Sequence, residues 1–193
     1  MKSLIFVTNN KHKIEEIQFL AQNKLNIISL KDVKFYEQIP EDKPSIEENA
    51  LFKAQYFYNK TGLNCFADDT GLEVFALNGL PGVKSARFVS DHDCLKNLQH
   101  VLKLMQGEKD RKARFRTVIA LIIENKEYIF EGIVNGYITT EPLGYNGFGY
   151  DSIFIPEGDN RTFAQMSLKE KSKYSHRQRA FTKLINFLSN HFS

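Results

Sequence analysis

The residue pattern predicts an α/β protein, and three observations carry that prediction. First, a short apolar run at residues 4–7 leads into the polar stretch Thr8-Asn9-Asn10-Lys11-His12-Lys13, after which Ile14, Ile17, Leu20 and Ala21 recur at helical spacing. That is strand, loop, helix. Second, Ser45…Glu48 and Ser167…Glu170 are capping boxes, each opening a further helix. Third, residues 114–123 and 127–138 are long strand-like runs joined by a short turn at Glu124-Asn125-Lys126, a hairpin. The 193 residues suit one domain, 1–193, with room for two lobes.

The elements follow in order. Residues 26–30 read as a second strand. A proline-bracketed loop, Ile39-Pro40-Glu41-Asp42-Lys43-Pro44, precedes a helix with Ile46, Ala50, Leu51, Ala54, Phe57 and Tyr58 on its apolar face. Gly62 ends that helix. Residues 64–67 and 72–75 read as strands on either side of an acidic turn. From Asp93, Leu95, Leu98, Val101, Leu102 and Met105 mark a helix ending near Gly107. Residues 152–155 form a strand stopped by Pro156. The chain closes on a helix opened by Ser175-His176-Arg177-Gln178, with Ala180, Phe181, Leu184, Phe187 and Leu188 on its buried face.

Composition excludes several classes. The chain is 42% hydrophobic and 12% aromatic, enough for a real core. A net charge of +3 gives no field for duplex nucleic acid. Cys65 and Cys94 have no metal-ligand spacing and read as free, buried thiols in a reducing compartment. The N-terminal apolar run is too short for a signal peptide, and no run reaches membrane-spanning length. The expectation is a soluble cytoplasmic protein with no nucleic-acid or membrane partner.

The stretch Phe66-Ala67-Asp68-Asp69-Thr70-Gly71-Leu72 carries the strongest chemistry. Adjacent carboxylates repel unless a cation or hydrogen bonds compensate them, and Mg²⁺ takes hard oxygen ligands. Asp, Thr and Gly also suit a plain solvated turn. The start of the first helix offers backbone N–H groups to an anion, with Thr8, Asn9 and Lys13 beside it. Simple N-capping by Asn9 or Asn10 explains the same residues. Glu41 is either a metal ligand or dipole compensation for the next helix. The loop Gly147-Phe148-Gly149-Tyr150-Asp151 lets backbone approach a ligand and offers Phe148 or Tyr150 as a flat face for a base. It matches neither a Walker loop nor a dinucleotide fingerprint. Lys171, His176 and Arg177 gather at a helix junction, as a phosphate- or base-holding corner or as a basic solvated one.

Together these stretches resemble the inosine triphosphate pyrophosphatase, or Ham1-like, family. Glu48-Asn49-Ala50 and Leu80-Pro81-Gly82 with Ser85-Ala86-Arg87 add to the match, and all occur in family order along almost the whole chain. The resemblance implies an elongated two-lobed α/β fold, with a long mixed sheet flanked by helices and a central substrate cleft. It implies a homodimer and Mg²⁺-dependent hydrolysis of ITP, dITP and XTP to the monophosphate and pyrophosphate. On matching positions, Thr8, Asn9, Asn10, Lys11, His12 and Lys13 would hold phosphates, with Lys53 on the triphosphate. Glu41 and Asp69 would bind Mg²⁺, with Asp69 the general base. Thr70, Phe148, Gly149, Tyr150, Asp151, Lys171, His176 and Arg177 would hold the rest of the substrate. The chain departs from the family at Asn9, where many members have Gly, at Ser152, where Pro is usual, and at Lys43-Pro44, which replaces a Gly-containing turn.

Residue chemistry fits such a reaction, because phosphoryl transfer is mostly positioning and charge stabilisation. Donors aimed at a purine 6-oxygen would meet donors in adenine and stay unpaired, which favours hypoxanthine and xanthine. Three rivals remain at this stage: a pyrophosphatase of another base preference, such as pyrimidine triphosphates; a nucleotide-binding module without turnover; and an RNA-binding protein, for which no ordered aromatic platform exists.

Overall fold

The computed structural model describes residues 3–22 and 24–191. The fold is mixed α/β, built on a seven-stranded sheet flanked by helices. In chain order the strands are β1 (Ser3–Phe6), β2 (Asn26–Ser29), β3 (Cys65–Val74), β4 (Pro81–Gly82), β5 (Lys112–Ile123), β6 (Lys126–Ile138) and β7 (Phe154–Pro156). Their spatial order is β2-β1-β3-β5-β6-β7, with β4 on β3. The helices are α1 (Lys11–Ala21), α2 (Ile46–Thr61), α3 (Cys94–Leu104), α4 (Leu168–Lys171) and α5 (His176–His191). None is long and apolar enough to cross a membrane. The chain divides into two compact units, one of Met1–Asp69, Thr117–Gly132 and Arg177–Ser193, the other of Thr70–Arg116 and Ile133–His176.

In the first unit β1 runs parallel to both β2 and β3, with Ile5 opposite Cys65 and Phe6 opposite Phe66. Side chains alternate across a strand, so each face of this sheet receives its own helices. Leu4, Phe6 and Phe66 pack with Ile17 and Ala21 of α1 and with Ala180, Phe181 and Leu184 of α5. The Phe6 and Phe66 rings stack at 4.6 Å. Each fully buried large side chain of this kind contributes roughly 1.5–3 kcal/mol. Cys65 points the other way, its thiol against the Ala54 carbonyl of α2 at 3.5 Å. Helix α2 starts as its sequence dictates. Ser45 accepts the Glu48 N–H, and Gly62 closes the last turn with φ of 67°, a conformation glycine adopts without penalty.

The second unit packs around Phe115, Phe154 and Phe163. The Phe115 and Phe154 rings meet edge-on at 4.8 Å, and Phe154 and Phe163 lie 5.3 Å apart. Leu98 and Val101 of α3, with Met105 at its C-cap, close this core. Arg111 donates to the carbonyls of Ile138, Met105 and Thr139, a structural tie between the end of β6 and the residues after α3.

Four sequence expectations are corrected. The acidic stretch is not a turn between two strands: β3 runs unbroken through Asp68, Asp69, Thr70 and Gly71. The turn signal lost because both carboxylates find partners far along the chain. Leu95 is 61% exposed, because it stands in the first turn of α3, outside that core. Cys94 is exposed at the start of α3, whereas Cys65 is buried as expected. The Glu124-Asn125 pair alone makes the β5–β6 turn, both residues with positive φ, the geometry of a tight two-residue hairpin.

Candidate active site

Strand alternation sends the two adjacent aspartates to opposite faces. Asp68 shares the face of Phe66, towards α1 and α5. It is fully buried. Lys13, in the first turn of α1, donates to its Oδ1 at 2.9 Å, and Arg177, in the first turn of α5, donates to its Oδ2 at 3.1 Å. The Arg177 guanidinium also bonds Glu16 of α1. Burial alone would raise the Asp68 pKa, but Lys13, Arg177 and Lys53 outweigh it and hold the carboxyl well below the usual range. Asp68 is thus held ionised at neutral pH. Arg177 is itself 1% exposed and is held charged by Glu16 and Asp68 against the penalty of burial.

Asp69 faces α2. Its Oδ2 accepts a hydrogen bond from Asn49 at 3.2 Å, and its Oδ1 lies 3.9 Å from the Lys53 ammonium. Lys53 also donates to Glu41 at 2.5 Å, in the loop before α2. Here burial dominates and raises the Asp69 pKa. Lys53 and Lys13 oppose the rise, and Glu41 and Asp68 add to it. Lys53 stays charged although buried, because Asp69, Glu41 and Asp68 outweigh its desolvation. Neighbouring carboxyls with pKa values pushed in opposite directions are the pattern by which acid–base roles are divided.

The first unit therefore gathers Lys13, Lys53 and Arg177 with Glu16, Glu41, Asp68 and Asp69, three cations against four carboxylates. Among the described residues no group of three or more His, Cys, Asp or Glu forms a ready metal cage. Glu41 and Asp69 nonetheless fit Mg²⁺. They are hard oxygen donors already sharing one cation, the Lys53 ammonium, and Mg²⁺ is commonly held by one or two carboxylates while waters and phosphates complete its shell. The loop before α1 belongs to the same unit. Asn10 caps the helix, accepting the Lys13 N–H at 3.3 Å, and Thr8 accepts the Asn10 N–H at 3.2 Å. Asn9, Asn10, Lys11 and His12 are exposed.

The second unit brings together Phe148, Asp151, Lys171 and His176. Lys171 donates to Asp151 at 2.6 Å, and its ammonium lies 5.3 Å from the Phe148 ring centre and 5.4 Å from that of Phe163. Asp151 also accepts the Phe148 N–H at 2.9 Å, which shapes the loop. Gly147 is required there. Its φ is 76°, and a Cβ would come within 2.1 Å of the Asp151 carboxylate. His176 stacks on Phe115 at 4.7 Å. Lys171, His176 and Arg177 are all buried, so the solvated-corner alternative fails. Tyr150 is corrected as a stacking face: its ring is 5% exposed in the core and its hydroxyl donates to the Ser85 carbonyl. Phe148 and Gly149 remain partly exposed, as does Thr70.

The Ham1 family pattern matches residues 4–187, nearly the whole chain. The chain belongs to the Ham1 family. It is 48% identical over 187 residues to the dITP/XTP pyrophosphatase of Flavobacterium johnsoniae, covering 96% of this chain and 97% of that protein. The protein of the same name from Porphyromonas gingivalis is 44% identical over 97% of this chain and 98% of its own. The solved Ham1 protein of Staphylococcus aureus superposes with a TM-score of 0.88 at 33% identity, covering 98% of this chain and 99% of that one. That of Coxiella burnetii gives 0.89 at 34% identity over 98% of this chain and all of its own.

Two members of the charged site escaped sequence reasoning. Glu16 sits on α1 one turn after Lys13, and only that i, i+3 spacing hinted at a shared face. Asn49 stands in the Glu48-Asn49-Ala50 match, but an asparagine early in a helix has no chemical signature until its partners are known.

Proposed function

We propose that this Ham1-family chain is a nucleoside triphosphate pyrophosphatase that hydrolyses non-canonical purine nucleotides, ITP, dITP and XTP, to the monophosphate and pyrophosphate. The names of its relatives supply the substrate class. The single structural observation that supports it is the pair on β3: Asp68 is bonded to Lys13 and Arg177, while Asp69 lies on the opposite face beside Glu41, Lys53 and Asn49.

Glu41 and Asp69 would hold Mg²⁺, which supplies charge neutralisation for phosphate oxygens. Asp69 takes a proton from the attacking water, whose oxygen bonds the α-phosphorus as the bond to the β-phosphate bridging oxygen breaks and pyrophosphate departs. Asp69 sits beside Glu41 and Lys53, where it can accept that proton. Lys53 and Lys13 compensate triphosphate charge, and the loop of Thr8 to His12 at the start of α1 binds its oxygens. Arg177 keeps Asp68 ionised and fixed. In the second unit Phe148 offers a face to the purine, while Lys171 and His176 supply donors for its 6-oxygen; Thr70, Gly149 and Asp151 complete that binding region. A homodimer working in the cytoplasm, with no nucleic-acid or membrane partner, belongs to the same proposal.

Chromatography of early time points with ITP tests it. IMP with pyrophosphate is the expected pair. IDP with orthophosphate would overturn the assignment even if ITP is consumed quickly.

A further inference from the structure

Asn49 is fully buried, and both ends of its amide are engaged. Its Nδ2 donates to Asp69 Oδ2 at 3.2 Å, and its Oδ1 accepts the backbone N–H of Lys43 at 3.0 Å. Lys43 lies two residues after Glu41, in the same loop. Lys53, one turn further along α2, repeats the arrangement with Glu41 Oε1 and Asp69 Oδ1. Residues four apart share a helix face. One face of α2 therefore carries two rungs, each joining the Glu41 loop to one oxygen of Asp69. The rungs differ in kind. Lys53 is a flexible point charge, whereas the planar amide of Asn49 has fixed donor and acceptor directions.

We propose that Asn49 is a positioning residue for the reaction: it fixes the carboxylate of Asp69 and, through Lys43, the loop that presents Glu41, so that the two carboxylates are held in register. This rests on Asp69 and Glu41 acting as described above. A hydrogen bond to a charged group contributes more than a neutral one and carries direction. Without it, Asp69 is free to turn about its side chain while remaining a carboxylate.

Two substitutions separate this role from simple loop anchoring. Asn49→Ala removes both contacts. Asn49→Asp keeps the shape and an acceptor for Lys43 but puts an oxygen against Asp69 in place of the donor. Four quantities are measured for each: kcat and KM with ITP at saturating Mg²⁺, the melting midpoint, and binding of Mn²⁺ to the substrate-free protein by electron paramagnetic resonance. In both variants kcat should fall by about tenfold or more, the low end for losing a charge-assisted hydrogen bond, while KM moves less than about threefold. Asn49→Ala should also weaken Mn²⁺ binding by about threefold or more, because its two carboxylate ligands are no longer aligned. Wild-type kcat in Asn49→Asp beside a deficient Asn49→Ala would make Asn49 a loop anchor only and overturn the assignment. So would wild-type kcat in both variants, and so would loss of cooperative melting in both, which would mark a folding residue. Asp69→Asn assayed alongside keeps the premises apart: wild-type turnover there removes Asp69 from the chemistry whatever the Asn49 variants do.

Discussion

The two faces of β3 in the first unit present the same chemical group to opposite surroundings. On the face towards α1 and α5, Asp68 is met by Lys13 and Arg177, both within hydrogen-bond distance. On the face towards α2, Asp69 is met by a neutral amide at 3.2 Å and a lysine at 3.9 Å that belongs first to Glu41. Burial penalises the charge of both. On the first face the cations outweigh that penalty, and on the second they do not. A carboxylate held charged by two cations ties structure together, and one whose charge is costly is suited to exchanging a proton. The difference arises from a one-residue step along a strand.

The largest effect that sharpens this contrast is on stability. Asp68→Asn removes the carboxylate that Lys13 and Arg177 share, leaving Arg177 only Glu16, and breaking a buried pair from one side costs about 3–5 kcal/mol. Urea unfolding should show that loss at neutral pH. A loss under about 1 kcal/mol, the range of a surface pair, would erase the distinction between the faces.

The pH dependence follows with the sign fixed by the shifts. Asp68 has a folded pKa below its ordinary 3.8, so its contribution is complete above that value and disappears as pH falls below it. Asp69 has a folded pKa above 3.8, so its ionisation works against folding. Its contribution is greatest in acid and declines as pH rises through the folded value. The stability gap between wild type and Asp68→Asn should close in strong acid, and Asp69→Asn should be no less stable than wild type at neutral pH. Urea midpoints across an acid series measure both; a gap that stays constant with pH would contradict the Asp68 account.

Much of the scaffold is legible in the residues, because its causes are local. Ser45, Ser167 and Gly62 cap helices through neighbours three or four positions away, and the period of Ala180, Phe181, Leu184 and Leu188 needs only the helix itself. The acidic stretch is different. Asp, Asp, Thr and Gly in a row are turn-formers until the partners of Asp68 are known, and those lie 55 and 109 positions away. The same distance hid Glu16, whose partner Arg177 is 161 residues on. Asn49 was invisible for a related reason. An amide acquires a role only when a carboxylate and an N–H are placed at its two ends.

Substrate selectivity gives smaller effects that divide the two units. Arg177 bonds Asp68 and Glu16, so Arg177→Ala should reduce turnover of ITP and ATP by one common factor, leaving their kcat/KM ratio within about twofold of wild type. Lys171 in the second unit is assigned to the purine. Lys171→Met should shrink the ITP preference over ATP by about tenfold, the low end for a charge-assisted hydrogen bond. Parallel kcat/KM measurements with both nucleotides decide each case. A ratio altered by Arg177→Ala would assign base reading to the first unit, and a ratio unmoved by Lys171→Met would remove that role from the second.

The central claim, that the face of α2 carries the reacting carboxylate, is tested most directly by kcat of Asp69→Asn with ITP at saturating Mg²⁺. Asparagine keeps the shape and removes the base, so turnover should fall at least about a hundredfold, the low end for general-base loss, while the melting midpoint stays at or above that of wild type. Turnover near the wild-type value in this folded variant would contradict the account and move the chemistry off Asp69.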